Sequence, residues 1–426
     1  MVLRKLGQLA QLLAQRSISN MNTQKNIWLW VLYDFANSIV SIVFFLYFAQ
    51  WVVVEKGISD FLLNMTFSMS ALLLLVTVPI AGFLLDAHLR RITGLRYTTV
   101  ATAIFYVACV VFALHDQVYT ALIFYTLGLY TYLLSFTFYT PLLNDISSEK
   151  MRGRISGYGI CANYIGQCVG LLIVLPFAKG TYSLFGGSPR IETLMPAIVI
   201  FFLLSLPMIL FFHESELIAK QIQKFSVKKI LNTSKSLFLY PGVGLFMLAY
   251  FLFNDAILTA SNNFPIFLQQ VWGVSDVVKT YILLGIVITS ALGGLVSGHI
   301  ADKFGHKKTL FIVLVGWVFI LPSIGFLTNF PAFVVATTVM GFWFGANWAV
   351  SRSVMSYLAP VGQHNLAFAY FGLVERVSAL FGPLVWGAVV TGLVSMGSFR
   401  YRLATLAVTA FIIIGLGVLV KVRGDR

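Results

Sequence analysis

Asp34 and Asn37, with Tyr33 beside them, lie inside an apolar run from residue 27 to residue 54. At a spacing of three, a carboxylate and an amide share one face of a helix. The run is long enough to cross a bilayer, where an ionised Asp near the centre costs about 2.5–3.5 kcal/mol on insertion scales. Such a residue faces a protein interior or a watery cavity, and there it can hold a polar solute or load and release a proton. Low dielectric disfavours the charged carboxylate, which suits a proton carrier working near neutral pH. An Asp that only braces neighbouring helices is the competing expectation.

Other polar residues stand in apolar surroundings. Asn254 and Asp255 fall in one later run, with Asp255 its only acidic residue; Asn163 and Gln167 share another. Asn347 falls in a third run, and Arg352 near the end of that run is expected to serve as a latch close in depth to Asp302. Glu375 and Arg376 are adjacent, so they point in different directions around a helix and cannot simply pair. One of them is expected to satisfy Asp255 or another half-buried group, the other to meet a charge on a substrate. Asp145 and Glu149 lie beside Lys150, Arg152 and Arg154, which reads as a second latch.

Catalysis finds no support. The sequence has no zinc-hydrolase helix, phosphate-cradling loop or nucleophile elbow, so no enzyme, metal or cofactor is expected. Cys109, Cys161 and Cys168 lie in apolar segments without paired spacing and read as small buried hydrophobes.

The elements that position these residues follow from composition. Hydrophobic residues make up 59% of the chain, charged residues 10%, and mean hydropathy is +0.88. No soluble domain could cover such a chain with polar surface, and long unbroken runs without period-two alternation exclude a barrel. The fold class is an all-α integral membrane protein. Six apolar stretches precede a Lys-rich segment at 213–239 and six follow it, the eleventh read as one stretch from Ala367 to Leu393. This gives a basic tail at 1–25, a six-helix bundle at 26–212, a connector, a second six-helix bundle at 240–420 and a tail at 421–426. The basic tail could also mimic a mitochondrial presequence, and Met21 is an alternative start.

Charge sidedness sets the expected topology. Twenty-one of the 29 Lys and Arg residues fall in the two tails, the connector and the even-numbered loops, and six fall on the opposite side. By the positive-inside rule both termini are cytoplasmic. The net charge of +14 is thereby explained by topology rather than by nucleic acid.

The two halves repeat a motif. Gly82, Asp86, Arg90 and Arg91 follow the second stretch; Gly298, Asp302, Gly305, Lys307 and Lys308 follow the eighth. Glycine lets two helices approach, Asp caps or pairs at the next helix start, and the basic residues hold the interface. The second copy is nearly complete, whereas Leu89 replaces the second glycine in the first. The paired motif resembles the signature of the major facilitator superfamily, which implies two six-helix bundles around a cavity opened alternately to either side. Helices one and seven are then equivalent, so Asp255 is expected as the twin of Asp34 across that cavity. Three runs refine the resemblance: residues 30–38, residues 152–159, and Ser351–Ser353 with the later Gly382-Pro383. These look like the vacuole-effluxer branch, whose members include fungal vacuolar amino-acid exporters. The chain departs from that branch at Asn163, Gln167, Asn347, Trp348 and Glu375, where polar or large side chains replace small ones.

The expectation is a monomeric secondary transporter of a small organic solute, an amino acid or related metabolite, driven by protons and working without a cofactor. A facilitative exchanger of a sugar, nucleoside or drug, or a non-transporting receptor with the same fold, is the alternative.

Overall fold

The computed structural model describes residues 24–87, 90–146, 152–214, 235–360 and 364–422. Among these, twelve helices are long and apolar enough to span a membrane. They are α1 Gln24–Glu55, α2 Asp60–Ala87, α3 Arg91–Leu114, α4 Val118–Leu142, α5 Arg152–Ala178 and α6 Pro189–Phe211 in the first half. In the second half they are α7 Val243–Trp272, α8 Asp276–Phe304, α9 His306–Phe326, α10 Phe330–Leu358, α11 Tyr370–Gly392 and α12 Phe399–Val420. Both described chain ends lie at one end of the molecule, here the terminal end; the opposite face is the far end.

α1 and α7 are the most buried spans, as the first helices of two halves that meet along them. Other spans present Leu75, Ile104, Ile123, Leu295 and Phe319 outward, an apolar perimeter suited to lipid. Lipid removes most of the hydrophobic driving force between helices, so close packing must hold them together. Small residues provide it between α8 and α10: a methyl added at Gly345 would strike the Ser290 carbonyl, and one at Gly293 the Phe342 carbonyl. In the first half, α1 joins α3 and α4 through ring contacts, Phe44 stacked on Tyr106 at 4.1 Å and Phe48 tilted against Tyr125 at 4.4 Å.

Three expectations are revised here. The eleventh stretch is not one helix: it forms α11a, His364–Val377, and α11b, Gly382–Gly392. Pro383 sits in the first turn of α11b, where the N–H that a continuous helix would bond back across 378–381 is missing, so the chain restarts there. Gly298 does not mediate a close helix approach, since an added methyl there meets nothing within 4 Å. Cys161 is exposed and Cys168 partly so; only Cys109 is buried.

Candidate functional site

The first carboxylate faces the seam between the halves. On α5, an added methyl at Gly159 would sit 2.6 Å from the Trp30 ring and 3.2 Å from an Asp34 carboxylate oxygen, and one at Gly166 would run into Ser38 and the Phe35 carbonyl. These bare positions let α1 lie against the α5 backbone. Asn163, between them, then donates to Asp34 Oδ1 at 3.0 Å, and Gln167 one turn on donates to Asn163 Oδ1 at 2.8 Å. The file Asp34–Asn163–Gln167 is partly buried along its length. Across from it, exposed Arg352 of α10 lies within electrostatic reach of Asp34 and Tyr164. Arg376 of α11a points its guanidinium at Thr137 and Thr140 of α4, 3.3 and 3.5 Å away. Glu375 lies beside Tyr250 of α7. Asp34 and two guanidinium groups thus stand along one seam.

Tyr33 and Asn37 are placed differently from Asp34. Tyr33 is buried, bonded to Thr99 of α3 at 2.7 Å, and Asn37 is buried with neither side-chain amide atom paired. A separation of three leaves about 60° of rotation between two helical positions, enough to turn Asn37 from the seam into the first bundle. Asn347 of α10, in the second half, is likewise buried and unpaired at both atoms.

Asp255 is not a cavity twin of Asp34. It accepts from the backbone N–H of Phe381 at 3.2 Å and Gly382 at 2.8 Å, the two amides that open α11b. A carboxylate at the positive end of a helix is favourable, and the adjacent residue treats the opposite pole. Asn254 donates to Ser378 and, at 3.5 Å, to the Glu375 carbonyl, where α11a ends. Trp348 in turn donates to Asn254 Oδ1 at 3.3 Å. One dipeptide therefore clamps both sides of the break, with neither Glu375 nor Arg376 satisfying Asp255. Replacing Asp255 by Asn keeps an acceptor for the Phe381 and Gly382 amides. Asp255→Asn is expected to melt in detergent near the parent protein, whereas Asp255→Ala, with the buried Gly382 amide and the part-buried Phe381 amide left unpaired, should lose about 2 kcal/mol.

At the terminal end the motif residues form partly different contacts. The backbone of α2 carries Gly82 and Asp86 and that of α5 carries Arg152 and Arg154, whose side chains lie outside the described residues, as do Glu149 and Lys150 entirely. Asp145 pairs with Arg91 at 2.9 Å, tying the second-helix motif to the short turn Leu143–Ile146 that follows α4. Arg90 is exposed, and the α3 amides of Arg91 and Ile92 are capped by Glu214 at 3.2 Å each. In the second copy Gly305 has φ +101°, a turn geometry that favours glycine, and Lys307 donates to the Val422 carbonyl at 2.6 Å near the α12 C-terminus. Among the described residues Asp302 is exposed and makes no ion pair with Arg352. The link to α10 runs instead from His306 to Ser353, 2.7 Å.

Sequence reasoning missed a polar seal across the far end. Asp276 at the start of α8 receives Arg190 of α6 at 2.8 Å and Lys279 at 2.6 Å, and Arg190 also faces Glu55 of α1 at 3.7 Å. Fully buried Lys279 reaches back to Gln50 of α1 at 2.8 Å and to Gln269 of α7. Asn64 of α2 and Asn263 of α7 exchange two amide bonds of 2.8 Å. Tyr47 meets Thr280 at 3.0 Å, and Tyr401 donates to Asp60 at 2.9 Å. Every one of these links joins the two halves, except Lys279's bonds to Asp276 and Gln269 and the Arg190–Glu55 pair. The far end of α1 is wound as π-helix at Phe44–Phe48 and Trp51–Glu55, a local widening common at functional segments. Outside the spans, Asp116 bonds Lys56 at 2.7 Å and pushes its ammonium pKa up. The asparagines in α2 and α7 were the available signal, because an amide in a span demands a partner.

Known proteins resemble this arrangement. A profile of the vacuole effluxer Atg22-like family matches residues 47–426. An uncharacterized MFS-type transporter, YxiO, of Bacillus subtilis is 25% identical over 376 residues, 84% of this chain and 86% of that one. A multi-drug resistance efflux pump PmrA homolog of Lactococcus lactis is 24% identical over 93% of this chain and 94% of its own length. Among solved structures, the nucleoside transporter NupG superposes with a TM-score of 0.74 at 13% identity, over 94% of this chain and 100% of that one. A D-xylose–proton symporter gives 0.71 at 14% identity, over 95% and 97%. With its twelve spans and these relatives, the chain belongs to the vacuole effluxer Atg22-like family and is an MFS-type membrane transporter.

Proposed function

We propose that this transporter moves an amino acid or closely related small metabolite by alternating access, with proton movement coupled through Asp34 and both termini in the cytoplasm. The observation that carries the reading is the partly buried file Asp34–Asn163–Gln167 with the Arg352 charge within electrostatic reach of Asp34. A zwitterion offers an ammonium to the carboxylate and a carboxylate to the guanidinium, while the two amides supply orientation. Glu375 and Arg376 extend the same balance of charge on the second half. Asn163 engages Oδ1 of Asp34, which leaves Oδ2 as the oxygen that takes a proton as the seam opens and closes. Asp255, Asn254 and Asn37 serve the helices that carry the site, and the terminal-end residues Asp145, Arg91, Lys307 and His306 brace the halves near the cytoplasm.

The test is counterflow and uptake in proteoliposomes with labelled amino acids, nucleosides, sugars and cationic drugs, each with and without an imposed pH gradient. Amino-acid exchange that accelerates with the gradient is the expected result. Exchange of a nucleoside or drug alone overturns the substrate assignment, and indifference to the gradient overturns proton coupling. A thermal-shift screen narrows the panel beforehand, because a ligand at a hundred times its Kd stabilises the folded state by about 2.7 kcal/mol.

A further inference from the structure

Apart from the Asp34 seam, a polar cavity of about 290 Å³ opens at the far end between the α1–α2 turn and the starts and ends of α7, α11b and α12. Its walls come from both halves: Val53, Ile58 and Asp60 from the first, Val394, Arg400 and Tyr401 from the second. Asp60 is only 4% exposed, and its Oδ2 accepts from Tyr401, yet its Oδ1 has no protein partner. Arg400 lies over the Tyr401 ring at 5.1 Å, and its buried Nε likewise has no partner. An acid and a base from opposite halves thus stand at the wall of one cavity, with the Arg400 charge acting on Asp60. The volume equals that of roughly ten liquid waters, room for a compact molecule but not for a peptide or nucleotide.

We propose that this cavity is an accessory binding site for a small zwitterion, whose ammonium is drawn to the Asp60 side and whose carboxylate is drawn to the Arg400 guanidinium, with the short apolar spacer against Val53, Ile58 and Val394. The site is separate from the Asp34 seam. Because both halves build it, an occupant bridges them and opposes their parting at the far end; that consequence rests on alternating access, whereas binding itself does not.

The experiment reads the rate at which a maleimide modifies the thiol of Ser59→Cys, followed by peptide mass at residue 59 so that Cys161 and Cys168 do not interfere. Ser59 lines the cavity. Glycine, β-alanine and 4-aminobutyrate serve as zwitterions of increasing length, butylamine and butyrate as controls carrying one charge each. At least one zwitterion should slow modification several-fold and saturably, and the controls should not. Adding Arg400→Gln to Ser59→Cys should abolish protection while the thiol still reacts in the absence of probe. Asp60→Asn should do the same, and if it fails to fold, Arg400→Gln alone decides. Unchanged rates with all three zwitterions, equal protection by butyrate or butylamine, or protection that survives Arg400→Gln would each overturn the assignment. None of these results bears on transport through the seam, and loss of transport in an Asp34 variant would leave this site standing.

Discussion

Uptake driven by a pH gradient should fall to background in Asp34→Asn, while counterflow of the same solute at equal pH continues. Asn matches Asp in shape and still offers Oδ1 to the Asn163 amide, a bond of 3.0 Å in the parent protein. Exchanging a charged acceptor for a neutral one costs about 1 kcal/mol, so melting in detergent should change little. What Asn cannot do is release a proton, and the two assays separate that loss from loss of the cargo site. A gradient supplies energy only through a group that changes protonation between the two openings of the cavity; counterflow needs only a seam that binds and rocks. Loss of both activities with folding intact would assign Asp34 to cargo instead. Retention of both would reduce it to a brace between α1 and α5. The glycine contacts sharpen the choice, since Gly159 and Gly166 already bring α1 against α5 without help from the carboxylate.

What could be read from the chain alone depended on whether a feature acts along the sequence or across it. Twelve apolar runs and a duplicated motif are properties of segments, and their structural counterparts are the twelve spans. Asp34 stood out for the same reason, as a charge in an unbroken apolar run. Asp255 shows the limit. Its offset from Asp302 nearly matches that of Asp34 from Asp86, which fixes depth in the bundle but says nothing of the direction in which a side chain points. The deciding residue was Pro383, whose missing N–H breaks α11 and exposes two amides that Asp255 then caps. Hydropathy is blind to that break because Ser378 to Phe381 stays apolar enough to continue the run. Depth alone assigns Arg352 to Asp302, yet among the described residues it makes no ion pair there and its charge acts on Asp34. The far-end charges were counted as loop charges that set topology, yet Arg190 and Asp276 are 86 residues apart and Asn64 and Asn263 are 199 apart. Contacts of that range leave no trace in one sequence.

The far-end seal leads to the second large effect, expected for Asp276→Asn. Asp276 holds Arg190 from the first half and Lys279 from its own helix, with side chains 14%, 18% and 0% exposed respectively. Removing its charge leaves two cations facing each other with only Glu55, 3.7 Å from Arg190, to offset them. Taking one partner from a buried ionic group costs about 3–5 kcal/mol, and the partial exposure of Arg190 and Asp276 places this case near 3. The cost falls only where the halves touch at the far end, because the separated halves let water reach Arg190 and Lys279. It therefore acts on the opening equilibrium rather than uniformly on folding, and 3 kcal/mol shifts that equilibrium by roughly a hundredfold towards the far-open form. Spin labels at exposed Tyr182 in the first half and Met396 in the second should report it as a longer, broader distance distribution in liposomes. Asn64→Leu removes an uncharged bridge between the same halves and should open the far end less, since it leaves one buried amide unpaired rather than two charges. An Asp276→Asn protein with the parent distance distribution and a lowered melting temperature would mean that the ionic cluster stabilises the fold without controlling the far opening.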